Sequence, residues 1–367
     1  MIDFYRAMEK ARIPYFEYGP TAIDSYFGHA MEYPVKFFAI QGSMVDLAKA
    51  FDAIEYPSLP YADVSVRKSA IGFEARILCL EDGGKAGVTE MGRFKRDPRS
   101  GRFYDPEGVY EALKSRNFQP RPSSEEGALF ETAAILSRFF PSPTEESLPP
   151  LPIPEAPSLL WQKDLLTFIL QGPGSSRSFE LLRKSGFIQK YWPILDDLLQ
   201  VDHAKDCHPE GGGWSHTMEA LGHRKSFNLT LSLAILLHDV GKPHSEAAEG
   251  RKFDKHAEIG AHIAARFLRS LGFEETIVSD AQFMIRWHML PAALPKLPPG
   301  KVEDLVLDPR FPNLMELYRC DEFSTFKGPD AYYAACAAYK AMVRNARNPF
   351  RDIGGRKNPQ SFSRTRS

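Results

Sequence analysis

The sequence predicts a mainly α protein: an α+β head, then an all-α neck and an all-α bundle. Three observations carry this. Strand-like runs are confined to the first third, long apolar helical periodicities fill the last two thirds, and a proline-rich stretch lies between them.

The head is expected over residues 1–118. "PVKFFAI" and "GFEARILCL" read as strands, "SMVDLAKAFDAI" as an amphipathic helix, and "RSGRFYDPEG" as turn chemistry. The neck is expected over 119–200 and opens on the helical "EEGALFETAAILSRFF". Seven prolines then fall between Pro141 and Pro157. They bar a helix interior or central strand, so 141–157 reads as an extended linker. "SLLWQKDLLTFIL", "SSRSFELLRKSG" and "YWPILDDLLQ" follow as short helices. The bundle is expected over 201–345, from "SHTMEALGH" and "LTLSLAILLHD" through "AYYAACAAYKAMVRNA". Residues 346–367 are basic and rich in Gly, Pro and Ser, which predicts a disordered tail.

Composition bounds the function. The net charge of -1 and 25% charged residues give no global attraction to polyanions, so any nucleic-acid contact must be a local patch. Cys79, Cys207, Cys320 and Cys336 are scattered and form no CxxC, which suggests reduced thiols. "MIDFYRAMEKARIP" lacks the apolar core of a signal peptide, and no apolar run reaches membrane-span length. The expectation is a cytoplasmic chain.

The histidines are not evenly spread: of ten, only His29 lies outside the stretch His203–His288. His238-Asp239 end the apolar run "LTLSLAILLHD". His216, His256, His288 and Asp321 each fall on a different helical segment. One histidine on an apolar face is ordinarily a satisfied core residue, and a lone His-Asp pair is weak. Imidazoles and carboxylates converging from several helices are what a divalent cation requires. With no cysteine in the set, Mn, Fe, Co, Ni, Mg and Zn all remain open. Such an ion acidifies bound water and polarises phosphoryl oxygens. Asp239 is therefore both ligand and catalytic candidate. Lys242, four residues after His238, is a candidate for binding substrate phosphate. His203, His223, His244 and His262 are expected on the surface or behind the ligands.

The series His216, His238-Asp239, His256, His288 and Asp321 resembles the ligand set of the HD superfamily of metal-dependent phosphohydrolases. "HPEGGGWSHTMEAL" and the neck segment "DLLTFILQGPGSSRSFELLRKSGFIQKYWPILDDLLQ" are similar to HD-bearing bacterial tRNA nucleotidyltransferases, the CCA-adding and poly(A) polymerase family. That resemblance implies a nucleotidyltransferase-like head with a small sheet, a divalent metal cofactor, and a nucleotide or RNA partner, tRNA included.

The head departs from the pattern. Gly19, Asp24 and Gly28 of "GPTAIDSYFG" match the family's triphosphate loop, but Pro20 and Ile23 replace a glycine and an arginine. Where the family carries two aspartates one residue apart, "MEYPVKFFAI" offers only Glu32. Glu74 matches a third carboxylate and Thr89 one polar anchor. Leu129 and Thr132 stand where arginines would. Nucleotidyl transfer depends on metal and cation placement, so the head reads as catalytically inactive. The resulting expectation is an HD-type phosphohydrolase acting on a nucleotide or RNA-end phosphate. A working tRNA nucleotidyltransferase or poly(A) polymerase is the alternative, and a non-catalytic RNA-binding adaptor the second alternative.

Overall fold

The computed structural model describes residues 3–29, 35–83, 85–140, 148–201, 212–245, 255–325, 328–348 and 350–357. Contacts divide the chain into two compact units, 1–193 with 226–229, and 194–225 with 230–367. The neck therefore packs into one unit with the head, and the second unit starts at Ile194.

The first unit is built on a seven-stranded mixed sheet of order β3-β4-β5-β2-β1-β6-β7. The strands are β1 (Tyr15–Tyr18), β2 (Val35–Ile40), β3 (Ile54–Glu55), β4 (Val64–Val66), β5 (Glu74–Cys79), β6 (Lys95–Arg96) and β7 (Phe103–Tyr104). Only β2 and β5 pair in parallel, with Phe37 opposite Arg76. Both are readable as near-continuous apolar runs because they are central strands covered on both faces. The short outer strands lack that signal.

Alternation along β2 sends successive side chains to opposite faces. Phe38 and Ile40 join Phe4, Met8, Tyr15 and Leu47 in one core cluster, against helices α1 (Phe4–Lys10) and α3 (Met44–Ala50). Between these two helices in sequence lies α2 (Pro20–Phe27), whose Ala22 and Ile23 enter a second cluster with Met91, Phe94 and Leu113. Leu113 belongs to α4 (Tyr110–Ser115).

The neck supplies α5 (Ala128–Leu136), α6 (Leu159–Leu170), α7 (Ser175–Lys184) and α8 (Phe187–Tyr191). Every residue of α5 is buried. Of the proline-rich stretch, 148–157 is described and forms neither helix nor strand, pinned by buried Leu148 and Leu151. The Tyr191 hydroxyl donates to the Pro154 carbonyl at 2.6 Å.

Among the described residues the second unit has helices and no strand. Its principal helices are α9 (Gly213–Gly222), α10 (Leu229–Leu237), α11 (His256–Ser270), α12 (Glu275–Trp287), α13 (Phe311–Phe323) and α14 (Asp330–Ala346). The expected disorder after Ala346 does not begin there. Asp352 accepts from the Arg356 amide at 2.7 Å and Ile353 is buried. Residues 358–367 lie outside the described ones. No helix among the described residues is long and apolar enough to cross a membrane. Cys79, Cys320 and Cys336 are free thiols, and Cys207 is not among the described residues.

Candidate metal centre

The C-terminal ends of α10 and α12 place two of the imidazoles by the same device. A helix leaves its last carbonyls without intrahelical donors. His238 and His288 each stand one residue past the last helical position. His238 Nδ1 donates to the Ile235 carbonyl and His288 Nδ1 to the Ile285 carbonyl, both at 2.7 Å. A carbonyl only accepts, so Nδ1 carries the hydrogen in both rings. In the neutral ring each Nε2 then points forward as a lone pair.

His216, on α9, follows the same logic through a hydroxyl. Ser324 Oγ gives its proton to the Asp321 carbonyl at 2.6 Å and lies 2.9 Å from His216 Nδ1. Its hydrogen already committed, Ser324 accepts from Nδ1, leaving His216 Nε2 as a lone pair too.

These nitrogens converge with two carboxylates. His216 Nε2 is 3.0 Å and His238 Nε2 3.7 Å from Asp321 Oδ1, near the end of α13. The two Nε2 atoms are 3.4 Å apart. On the other side, His256 Nε2 and His288 Nε2 are 3.1 Å apart. Asp239 lies between the groups. Its Oδ2 is 3.4 Å from His238 Nε2 and 3.7 Å from His216 Nε2. Its Oδ1 is 3.8 Å from His256 Nε2 and 4.0 Å from His288 Nε2. Two trios result, His216–His238–Asp321 and Asp239–His256–His288, each with ligand atoms within 4.8 Å of one another.

Such an arrangement is repulsive without a positive charge at its middle. His216, His238, Asp239 and His288 are each 1% exposed, so water does not dilute the problem. Without a metal, a proton takes the place of a cation. Burial opposes the charged ring of His238, but Asp239 and Asp321 outweigh it and raise its pKa to about 9. Burial, reinforced by His238, lowers His288 to about 4. Burial works against ionisation of Asp239 and Asp321 as well, yet the surrounding imidazoles, joined at Asp239 by Lys242, hold both carboxyls well below the usual range. Lone pairs aimed at a common centre, with Nδ1 hydrogens anchored behind them, fit a divalent cation of the borderline class.

A close backbone approach brings the second trio to the first. Gly241 packs against the first turn of α11. A Cβ there would meet the His256 carbonyl at 2.0 Å and the Gly260 nitrogen at 2.5 Å. Without that approach His256, the first residue of α11, could not face Asp239.

All six residues expected as ligands are thus gathered. Lys242 is engaged differently from its expected part: its Nζ lies 2.5 Å from Asp239 Oδ2, an ion pair that sets its ammonium on a candidate ligand rather than free toward a phosphate. His244 is 3.6 Å from Asp197 and His223 is 3.8 Å from Glu219, both away from the centre. His203 lies outside the described residues. Ser324 and Gly241 are not singled out by the sequence. Ser324 has a weak signal, standing three residues after Asp321 on the same helical face. Gly241 has none.

Residues 214–323, which hold the whole constellation, match the HD domain family. The chain has relatives among tRNA nucleotidyltransferases. It is 30% identical over 177 residues to the multifunctional CCA protein of Halorhodospira halophila, covering 48% of this chain and 40% of that protein. It is 33% identical over 135 residues to the CC-adding tRNA nucleotidyltransferase of Thermus thermophilus, covering 35% and 31%. The chain thus spans less than half the length of both curated relatives. Among solved structures, the Bacillus stearothermophilus CCA-adding enzyme in complex with CTP aligns over 98% of this chain and 88% of that one, at 13% identity and a TM-score of 0.47.

The relatives' names turn attention to the head. β2, Val35–Ile40, carries no carboxylate. The Phe37 ring stacks on Phe168 at 4.8 Å and meets Tyr61 at 5.3 Å and Tyr18 at 5.8 Å. Beside it in register, Arg76 forks onto Asp164 through Nε at 2.7 Å and Nη2 at 3.0 Å. Glu74 accepts from the Lys68 amide and pairs with Arg76. Asp24 is held by Arg138 at 3.0 Å through both oxygens. Gly19 and Gly28 supply positive φ at the two ends of α2. Leu129 and Thr132 are buried, and Thr89 donates to the buried Glu131 at 2.6 Å. Glu32 lies outside the described residues. The matching positions serve packing and turns, and no carboxylate pair faces a cleft on the described part of β2.

Proposed function

We propose that the chain is an HD-type metal-dependent phosphohydrolase acting on a phosphate of a nucleotide or an RNA end, with a head that does not transfer nucleotides. One observation carries the reading: three Nδ1-anchored imidazoles converge with the buried Asp239 and the half-buried Asp321, and Asp239 offers one oxygen to each trio. A divalent ion held there supplies a water of lowered pKa and charge for a phosphoryl oxygen. His216, His238 and Asp321 would hold the principal ion, and His256 and His288 a second, with Asp239 shared. The backbone carbonyls of Ile235 and Ile285 and the Ser324 hydroxyl fix the rings. Lys242 neutralises Asp239 and would bind a substrate phosphate once released from it. Hydrolysis of nucleotide and phosphodiester substrates under Mn, Co, Ni, Mg and Zn tests the reading. Turnover lost in Asp239→Ala supports it; no turnover with any metal, and no metal bound, overturns it.

The relatives' names favour a second reading, nucleotide addition to tRNA. Against it stand the aromatic packing around Phe37 and the Arg76–Asp164 pair where metal-binding carboxylates are required. Incorporation of labelled CTP or ATP into tRNA lacking its 3′ end would establish that reading and refute the assignment of the head.

A further inference from the structure

The first unit holds a cavity of about 50 Å³ walled by β1, β2, β5 and α5. Four aromatic residues, Tyr18, Phe37, Tyr61 and Phe130, line it together with one buried carboxylate, Glu131. The rings form a continuous wall: Tyr18 lies 5.8 Å from Phe37, Phe37 5.3 Å from Tyr61, and Tyr61 4.3 Å from Phe130. Lys85 and Glu126 are exposed at the rim, and their opposite charges offset each other.

Glu131 decides the character of the cavity. It is 9% exposed and accepts from the Val88 and Thr89 amides and the Thr89 hydroxyl at 2.6–3.1 Å. Those bonds fix the carboxylate but leave its charge in place. Room is kept for it, since a Cβ at Gly92 would collide with the carboxylate. Glu131 makes no ion pair among the described residues. The cation that acts on it, Arg93, is bonded elsewhere, through Nη1 to Glu107 at 2.9 Å and through Nε to the Gly87 carbonyl at 3.4 Å. Neither tyrosine hydroxyl donates to it: Tyr18 donates to the Tyr61 carbonyl at 3.1 Å and Tyr61 to Asp164 at 3.2 Å. Burial accordingly outweighs all these donors and raises the Glu131 pKa.

A buried charge is costly until a counter-charge meets it. The faces of aromatic rings are electronegative, so rings and carboxylate favour the same occupant, a cation that also carries apolar surface. A divalent metal ion would require several oxygen ligands, and the buried wall offers one carboxylate. At roughly 10–15 Å³ for each water-sized group, the cavity has room for about four heavy atoms. We propose that this cavity binds a small alkylammonium ion, with its N–H on Glu131 and its methyl groups against Phe37, Tyr61 and Phe130. The proposal goes beyond the phosphohydrolase reading and is measured without turnover.

The test is calorimetry and saturation-transfer NMR of trimethylammonium chloride on the full chain at about pH 7, where the amine keeps its proton. Binding should be saturable with a Kd on the order of 1 mM, as suits a ligand of this size. Irradiation of the protein's aromatic protons should transfer saturation to the methyl groups. 2-Propanol, neutral and of the same size, and KCl at the same ionic strength should not compete. Glu131→Gln keeps an acceptor for the Val88 and Thr89 amides and should weaken binding about tenfold. Phe130→Leu should weaken it about threefold. Parental affinity in Glu131→Gln, equal binding of 2-propanol, or no saturation transfer from aromatic protons would each overturn the proposal. The last two are read on the parent chain, so they decide the matter even where a variant fails to fold. Failure of the phosphohydrolase reading alone would leave these binding results standing.

Discussion

Gly241→Ala separates the two trios of the metal centre. At φ -83 and ψ -17 the backbone of residue 241 accepts alanine without strain, so the effect is purely one of space. The added methyl would stand 2.0 Å from the His256 carbonyl oxygen, against an ordinary separation of 3.4 Å or more. About 1.4 Å of room must be made, and the nearest atoms all belong to α11. Ligand distances in a metal site tolerate only about 0.2 Å. A shift several times that removes His256 from Asp239, while His216, His238 and Asp321 sit on α9, α10 and α13 and stay in place. The cost in stability is about 1–3 kcal/mol, the usual range for an overpacked core, and the domain remains folded. Elemental analysis after gel filtration should show bound metal falling from two equivalents per chain to one. Gly260→Ala, whose Cβ would meet Gly241 at 3.1 Å, should have a smaller effect. Two equivalents at unchanged affinity in Gly241→Ala would refute the claim that this approach positions the second trio.

Other outcomes follow from the same geometry. Ser324→Ala removes the acceptor for His216 Nδ1 and should weaken metal binding by about 10–100-fold, with Ser324→Thr restoring most of it in a metal titration. Without metal, His238, raised to about 9 from an unfolded value of about 6.5, contributes stability that is full below pH 6.5 and lost as pH rises to 9. His288, lowered to about 4, contributes stability that is lost as pH falls from 6.5 to 4. The metal-free domain should therefore melt highest near pH 6.5, and the gain in Tm on adding metal should grow between pH 6.5 and 9; a constant gain would contradict it. Arg76→Met leaves the buried Asp164 carboxylate uncompensated and should destabilise the first unit by about 3–5 kcal/mol in chemical denaturation.

The candidate metal centre is legible in the sequence because its parts are local. His238 and His288 close apolar helices, where an imidazole both satisfies a carbonyl and projects a free nitrogen, and the spacing of the six ligands is a linear pattern. What joins them is not local. Gly241 against His256 is a backbone approach that leaves no side-chain signature, and Ser324 behind His216 is an interaction across 108 residues. Lys242 reads as a phosphate ligand because its nearest partner, Asp239, is itself counted among the metal ligands. In the head, the missing carboxylates are readable but their replacement is not. Arg76 and Asp164 are 88 residues apart, and neither strand nor helix periodicity links them. The outer strands β3, β6 and β7 are two residues each, too short to carry an alternation.

Crystals grown with Mn and measured for anomalous scattering give the most direct test of the account. It predicts two peaks flanking Asp239, one among His216, His238 and Asp321 and one beside His256 and His288, with Lys242 displaced from Oδ2. No anomalous peak within the cluster, with Lys242 still seated on Asp239, would contradict it.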